Sequence, residues 1–141
     1  MKIVIVDDEP KIRNGLSKLL SSRPGFEIIG VFENAMEALE QLSVSYADVI
    51  ITDIKMPEIN GLDLINRIRE KDENTKIIIL SGYSDFSFAQ RAIELGVTRY
   101  LTKPTNAREL IGILEEIEKN IQKPRSEEKQ EMKVTNLFVQ K

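Results

Sequence analysis

The chain has 141 residues, 20 basic and 23 acidic side chains, a formal charge of −3, and neither Cys nor His. That length suits one domain better than two. Disulfides, thiolate-bound zinc and imidazole bases or ligands are excluded, a phosphohistidine of its own is excluded too, and the slight acidity argues against a broad nucleic-acid surface.

Strand-like and helix-like segments alternate five times along the sequence. The first apolar run, Ile3-Val4-Ile5-Val6, is β-branched throughout and ends at Asp7-Asp8. Pro10 stands where a helix can begin without losing a hydrogen bond, and Ile12, Leu16, Leu19 and Leu20 recur at helical spacing. Pro24-Gly25 breaks the chain, and Phe26 to Val31 reads as the second strand. Asn34 is placed to cap a helix carrying Ala35, Ala38, Leu39 and Leu42 on one stripe. The third strand spans about Asp48 to Thr52 and ends at Asp53. A loop with Pro57 and Asn60-Gly61 leads to a helix with Leu62, Ile65 and Ile68 inward. The fourth strand begins near Lys76, holds Ile77 to Leu80, and ends at Ser81-Gly82; Ser84-Asp85 continues its loop. Ala89, Ala92 and Ile93 mark the next helix, with Gly96 as its terminating residue. A short fifth strand, Arg99 to Thr102, ends at Lys103-Pro104, a prolyl bond that permits a cis peptide. Asn106 is placed to cap a last helix with Leu110, Ile113, Leu114, Ile117 and Ile121 on its apolar side.

Short β-branched runs of this kind read as strands of a parallel sheet buried on both faces. Five βα units in about 120 residues predict an α/β, doubly wound, flavodoxin-like sheet of five parallel strands in the order 2-1-3-4-5, with five helices. The domain is expected over residues 1–122. Residues 123–141, rich in Lys and Glu, read as a charged linker or tail. No apolar stretch reaches membrane-spanning length and no signal-peptide pattern opens the chain, so a cytoplasmic protein without membrane contact is expected.

In sheets of this class ligands bind beyond the carboxyl ends of the strands. Asp7, Asp8, Asp53, Ser81 and Lys103 therefore meet at one edge. Clustered carboxylates repel one another and need a cation, and Mg2+, octahedral and partial to oxygen, suits them. On their own, Asp7-Asp8-Glu9 read as the acidic start of a helix; Asp53 at the end of the adjacent strand changes that reading. A carboxylate can attack phosphorus to give an acyl phosphate, and Asp53 is the expected nucleophile. Pro57 and Gly61 shape a loop able to turn the Lys55 carbonyl toward the cation. Lys103 offers an ammonium that pairs with Asp53 in an empty site and with phosphoryl oxygens in a filled one. Ser81 adds a hydroxyl and Gly82 a backbone that an anion can approach closely. Tyr100 fits either core packing with its hydroxyl at the rim or a swing between buried and exposed positions.

Val6-Asp7-Asp8-Glu9, Thr52-Asp53-Ile54-Lys55-Met56-Pro57, Asn60-Gly61, Leu80-Ser81-Gly82 and Tyr100-Leu101-Thr102-Lys103-Pro104 together resemble the motifs of a response-regulator receiver domain. The match covers about residues 2–121, in order and at the usual spacings. The resemblance implies that Asp53 accepts a phosphoryl group from a sensor histidine kinase, so the missing His fits. It implies Mg2+ held by Asp8, Asp53 and the Lys55 carbonyl, with Asp7 acting mainly through water. It makes Ser81 and Tyr100 the switch pair, Lys103 the phosphoryl-sensing residue, and Lys55 a position that influences phosphoryl lifetime. Asn60 stands where the family often has aspartate. The segment from Gly82 to Ala89 resembles receivers attached to AraC-type helix-turn-helix output domains, which implies transcriptional control through a DNA-binding domain absent from this chain. Phosphorylation is then expected to reshape the face of the fourth helix, fifth strand and fifth helix, for homodimerisation or release of a partner. The chain would be a signalling protein with self-catalysed phosphoryl chemistry, not a conventional enzyme. A stand-alone phosphorelay receiver is the alternative. A haloacid-dehalogenase-like phosphohydrolase fits less well, because it needs an acid two residues after the nucleophile, where Lys55 stands. An interaction module that uses only the faces of the sheet would leave the acid pocket without purpose.

Overall fold

The computed structural model describes residues 1–82 and 86–121. The tail from 123 onward and the Ser84-Asp85 loop lie outside the described residues. The elements are β1 (Lys2–Val6), α1 (Pro10–Ser21), β2 (Glu27–Phe32), α2 (Ala35–Leu42), β3 (Val49–Thr52), α3 (Gly61–Lys71), β4 (Lys76–Ser81), α4 (Phe86–Glu94) and β5 (Arg99–Thr102), followed by α5 over 107–121. The chain falls into two compact units, Met1–Thr105 and Asn106–Lys141.

All strands pair in parallel, in the order β2-β1-β3-β4-β5. The chain leaves β1 toward one edge and then crosses back over it toward the other. Right-handed crossovers therefore put α1 on one face of the sheet and α2, α3 and α4 on the opposite face. Strand alternation serves both faces. Val4, Val6 and Ile50 pack with Ala35 and Ala38 of α2 and Leu64 and Ile68 of α3. Ile77 and Ile79 pack with Ile65 of α3 and Ala92 of α4. Ile3, Ile5, Ile51, Ile78 and Leu80, also buried, alternate to the other side.

Local chemistry places the helix ends. Pro10 opens α1. The Asn34 and Asn60 side chains each accept a backbone N–H, from Glu37 and Asp63, at 2.9 Å. Asn106 accepts the Arg108 amide at 2.8 Å. Each such cap stabilises its helix by about 1 kcal/mol. Gly96 ends α4 with φ +70°, a conformation that costs glycine little. In α5, Leu110, Leu114 and Ile117 are buried at helical spacing.

Some expectations shift. The second strand runs Glu27–Phe32 and the third Val49–Thr52, each a residue later at its start than the apolar pattern suggested. Phe26 is nevertheless buried, as a core side chain just ahead of its strand. Edge strand β5 leaves Tyr100 and Leu101 only half-buried, because an edge strand has a neighbour on one side alone. Ile93, expected to mark the inner stripe of α4, is 75% exposed; Phe88, Ala92 and Leu95 define the inner face instead. Asn60, read as a loop residue, is the cap of α3.

Candidate functional site

Register brings the site together. Val6 pairs with Thr52, and Ser81 with Thr102, so the strands end along a common edge. The ladder continues one step past each strand. The Asp7 amide donates to the Phe32 carbonyl at 3.0 Å, the Asp53 amide to Val6 at 3.1 Å, and the Lys103 amide to Ser81 at 2.7 Å. Backbone pairing thus places an acid after β1, an acid after β3 and a lysine after β5, side by side.

The side chains are locked as tightly. Asp53 Oδ1 accepts the Ile54 amide at 2.6 Å, and its Oδ2 accepts the Lys103 ammonium at 2.9 Å. Asp7 repeats the pattern: Oδ1 accepts the Glu9 amide, and Oδ2 accepts Lys103, both at 2.9 Å. Asp7 and Asp53 are buried, whereas Asp8 is exposed, as expected where successive side chains diverge. Lys103 also lies 3.5 Å from Glu9 Oε1. Glu9 is the residue ahead of α1, and its side chain makes no cap hydrogen bond there. The reading of this acidic run as a mere helix cap therefore fails.

Burial pushes the Asp7 carboxyl above the ordinary aspartate range; the Glu9 amide and Lys103 oppose that push without cancelling it. Burial also works against the Lys103 charge, but Asp53 and Asp7 outweigh it and hold the ammonium above the ordinary lysine range. For Asp7, burial outweighs an ammonium that it shares with Asp53.

Asp7, Asp8, Glu9 and Asp53 each offer a carboxylate oxygen, and these oxygens lie within 4.8 Å of one another. Opposite oxygens in an octahedral Mg2+ shell are about 4.2 Å apart at bonds of about 2.1 Å. The gathered oxygens span slightly more than that shell, but an all-oxygen, strongly acidic set is the donor chemistry that hard cation takes, with water completing the shell.

The β3–α3 loop carries two further features. Glu58 adopts φ 66°, a left-handed conformation that costs a side-chain-bearing residue about 1–2 kcal/mol. Gly61 donates to the Ile54 carbonyl at 2.6 Å, and a Cβ on Gly61 would run into the Asp53 carbonyl oxygen. Glycine is demanded there because α3 starts directly against the backbone of Asp53. Gly82 differs: a Cβ there meets nothing within 4 Å. Ser81 is fully buried. Tyr100 packs partly buried against the Ile54–Ile65–Ile79 cluster, so its core-packing role is present in this structure. Lys103-Pro104 is a cis peptide. Lys55 is exposed in the loop after β3.

Sequence reasoning missed Glu9 as a partner of Lys103, the contact of Gly61 with Asp53, and Arg13, whose Nη1 donates to the Asp7 carbonyl at 2.8 Å. Only the position of Arg13 one turn into α1 hinted at this last contact. A recess of about 460 Å3 lies between α2 and α3, lined by Met36, Leu39, Tyr46 and Ile68 among others. It opens near the starts of β3 and β4, away from the acids, which occupy a shallow edge.

Comparison with known proteins identifies the family in which this arrangement of strand ends belongs. The chain belongs to the response regulator receiver domain family, whose model matches residues 3–115. It is 37% identical over 117 residues to the uncharacterized transcriptional regulatory protein YesN of Bacillus subtilis, covering 82% of this chain and 32% of that protein. It is 40% identical over 114 residues to the transcriptional regulatory protein HptR of Staphylococcus aureus, covering 80% and 44%. The chain thus spans about a third to a half of the relatives it matches. Among solved structures, the receiver domain of the response regulator AraT from Geobacillus stearothermophilus superposes with a TM-score of 0.77 at 34% identity, covering 88% of this chain and 97% of that one. The response regulatory domain of mrkE from Klebsiella pneumoniae gives 0.80 at 27%, covering 87% and 99%.

Among the described residues, no helix is long and apolar enough to cross a membrane.

Proposed function

We propose that this chain is the phosphorylatable receiver of a cytoplasmic two-component system, with residues 1–122 as the receiver and the remainder as a linker toward an output domain. Asp53 Oδ attacks the phosphorus of a phosphohistidine on a sensor histidine kinase. The P–N bond breaks, its electron pair returns to the imidazole, and Asp53 becomes an acyl phosphate. When bound, Mg2+ supplies charge neutralisation between the acids and the phosphoryl oxygens, held by Asp8, Asp53 and the Lys55 carbonyl, with Asp7 reaching it through water.

The observation that carries this reading is the shared Lys103 ammonium, 2.9 Å from both Asp7 and Asp53. It holds the nucleophile in a fixed rotamer and stands ready to follow the new negative charge. Ser81 and Gly82 flank the same edge and serve as phosphoryl contacts. Ser81 and Tyr100 then relay occupancy by reshaping the α4–β5 face. Ile93, exposed on α4, suits that face to homodimerisation. Because the relatives are transcriptional regulators longer than this chain, the output proposed is DNA binding through a domain outside it, of the AraC type found attached to receivers that segment 82–89 resembles. No turnover of an external substrate is assigned.

The test is incubation of the full chain with acetyl phosphate and Mg2+, followed by intact mass. Wild type is expected to gain one phosphoryl group and Asp53→Asn none. Full labelling of the variant overturns the assignment.

A further inference from the structure

We infer that Arg13 is a positioning residue for the acidic loop: it holds the backbone on both sides of Asp8 and so sets where the exposed Asp8 carboxylate stands for a cation. The inference rests on the phosphoacceptor reading above and adds to it a residue outside the acid cluster.

Arg13 Nη1 donates to the Asp7 carbonyl at 2.8 Å. The backbone amide of the same residue donates to the Glu9 carbonyl at 3.0 Å. The carbonyls before and after Asp8 thus both end on one residue in the first turn of α1. Asp7 itself has no slack. Its amide is spent on Phe32, Oδ1 on the Glu9 amide and Oδ2 on Lys103, and Arg13 takes the carbonyl. The Asp7–Asp8 peptide plane is fixed by those bonds. Asp8 is exposed, so its Cα, and with it the reach of its carboxylate, follows the backbone that Arg13 pins.

The chemistry suits the task. A guanidinium stays charged across the physiological range, so the bond to the carbonyl persists with pH. It is charge-assisted and half-buried, which makes it stronger than a neutral hydrogen bond in water. Partners that orient metal ligands without touching the metal typically account for about 10–100-fold in metal affinity. Electrostatics alone would act in the other direction. A positive charge beside the acids repels a cation, so simply deleting it would tighten binding. The sign of the effect separates positioning from charge.

The test is Mg2+ titration of the full chain, followed by the amide chemical shifts of Asp8 and Asp53, for wild type, Arg13→Lys and Arg13→Ala. Melting temperature without Mg2+ is measured alongside. The order of affinity expected is wild type, then the lysine variant, whose flexible ammonium lacks the planar preorganised guanidinium, then alanine, the last weaker by about tenfold. Equal or tighter Mg2+ binding by whichever variant folds overturns the inference, as does a lowered melting temperature with unchanged affinity. Wild-type protein that takes up no Mg2+ overturns the phosphoacceptor reading and this inference with it.

Discussion

Asp7 is the residue at which function opposes stability. Burial raises its folded-state pKa above the unfolded value despite help from the Glu9 amide and Lys103. A carboxyl shifted upward binds its proton more tightly when folded. Its ionisation therefore removes stability as pH rises from about 3.9, the unfolded value, through the higher folded value. Asp7→Asn keeps the residue neutral throughout. In the absence of divalent ions the variant is expected to melt above wild type, by a margin that widens from pH 4 toward neutrality. Thermal unfolding in a pH series checks this, and a margin that narrows with pH refutes it. Lys103 has linkage of the same sign in a far more alkaline window. Its raised pKa gives stability present through neutral pH and lost only above the ordinary lysine range. Gly61 is the second residue under tension. A methyl group there collides with the Asp53 carbonyl, which is backbone and cannot swing aside. Gly61→Ala is expected to cost about 1–3 kcal/mol in urea unfolding. Because the relief must move Asp53 itself, labelling by acetyl phosphate should slow as well.

At the scale of elements, α4 is tied down at one end. Arg69 of α3 donates through Nε to the Leu95 carbonyl at 2.9 Å and through Nη2 to Gly96 at 3.1 Å; Nη1 reaches Asp72 at 3.2 Å. One guanidinium thus satisfies carbonyls at the end of α4 and just past the end of α3. Helix ends expose such carbonyls by necessity. Arg69→Ala leaves them to water and is expected to cost on the order of 1–2 kcal/mol. Amide exchange should quicken at the C-terminal turn of α4 and little in α2. Uniform quickening across the unit would show a general loss of stability instead. The apolar face of α4, through Phe88, Ala92 and Leu95, holds the rest of the helix to the sheet.

At the scale of the whole molecule, convergent strand ends set acids closer together than an ion-free protein favours. Ligation offsets that cost. A cation that binds only the folded state adds about 1.4 kcal/mol at ten times its dissociation constant. Mg2+ is expected to raise the melting temperature in a saturable way, and less so in Asp8→Asn. A matched rise in NaCl concentration should not reproduce the gain. A non-saturating rise, or one that NaCl reproduces, would mark charge screening rather than a site.

Much of this was legible before any coordinates. β-branched runs such as Ile3–Val6 and Ile77–Leu80 bury both faces, and a buried strand with short connections has few topologies available. Strand order, the shared edge and the meeting of Asp7, Asp53 and Lys103 follow from that. The phase of α4 did not: Ile93 fits an apolar stripe as well as Ala92 does, and only packing chose between them. Of the individual partnerships, the Lys103–Asp53 pair was expected and is present, but its sharing with Asp7 was not. Lys103 and Asp7 stand 96 residues apart, and no local rule says that one ammonium divides itself between two carboxylates. The closeness of Gly61 to Asp53, the hold of Arg13 on the acidic loop and that of Arg69 on α4 likewise exist only when distant segments are packed. Patterning along the chain determined the strands and which of their ends coincide, because hydrophobic burial depends on residue type. Tertiary structure decided which donor meets which acceptor, because hydrogen bonds depend on distance and angle.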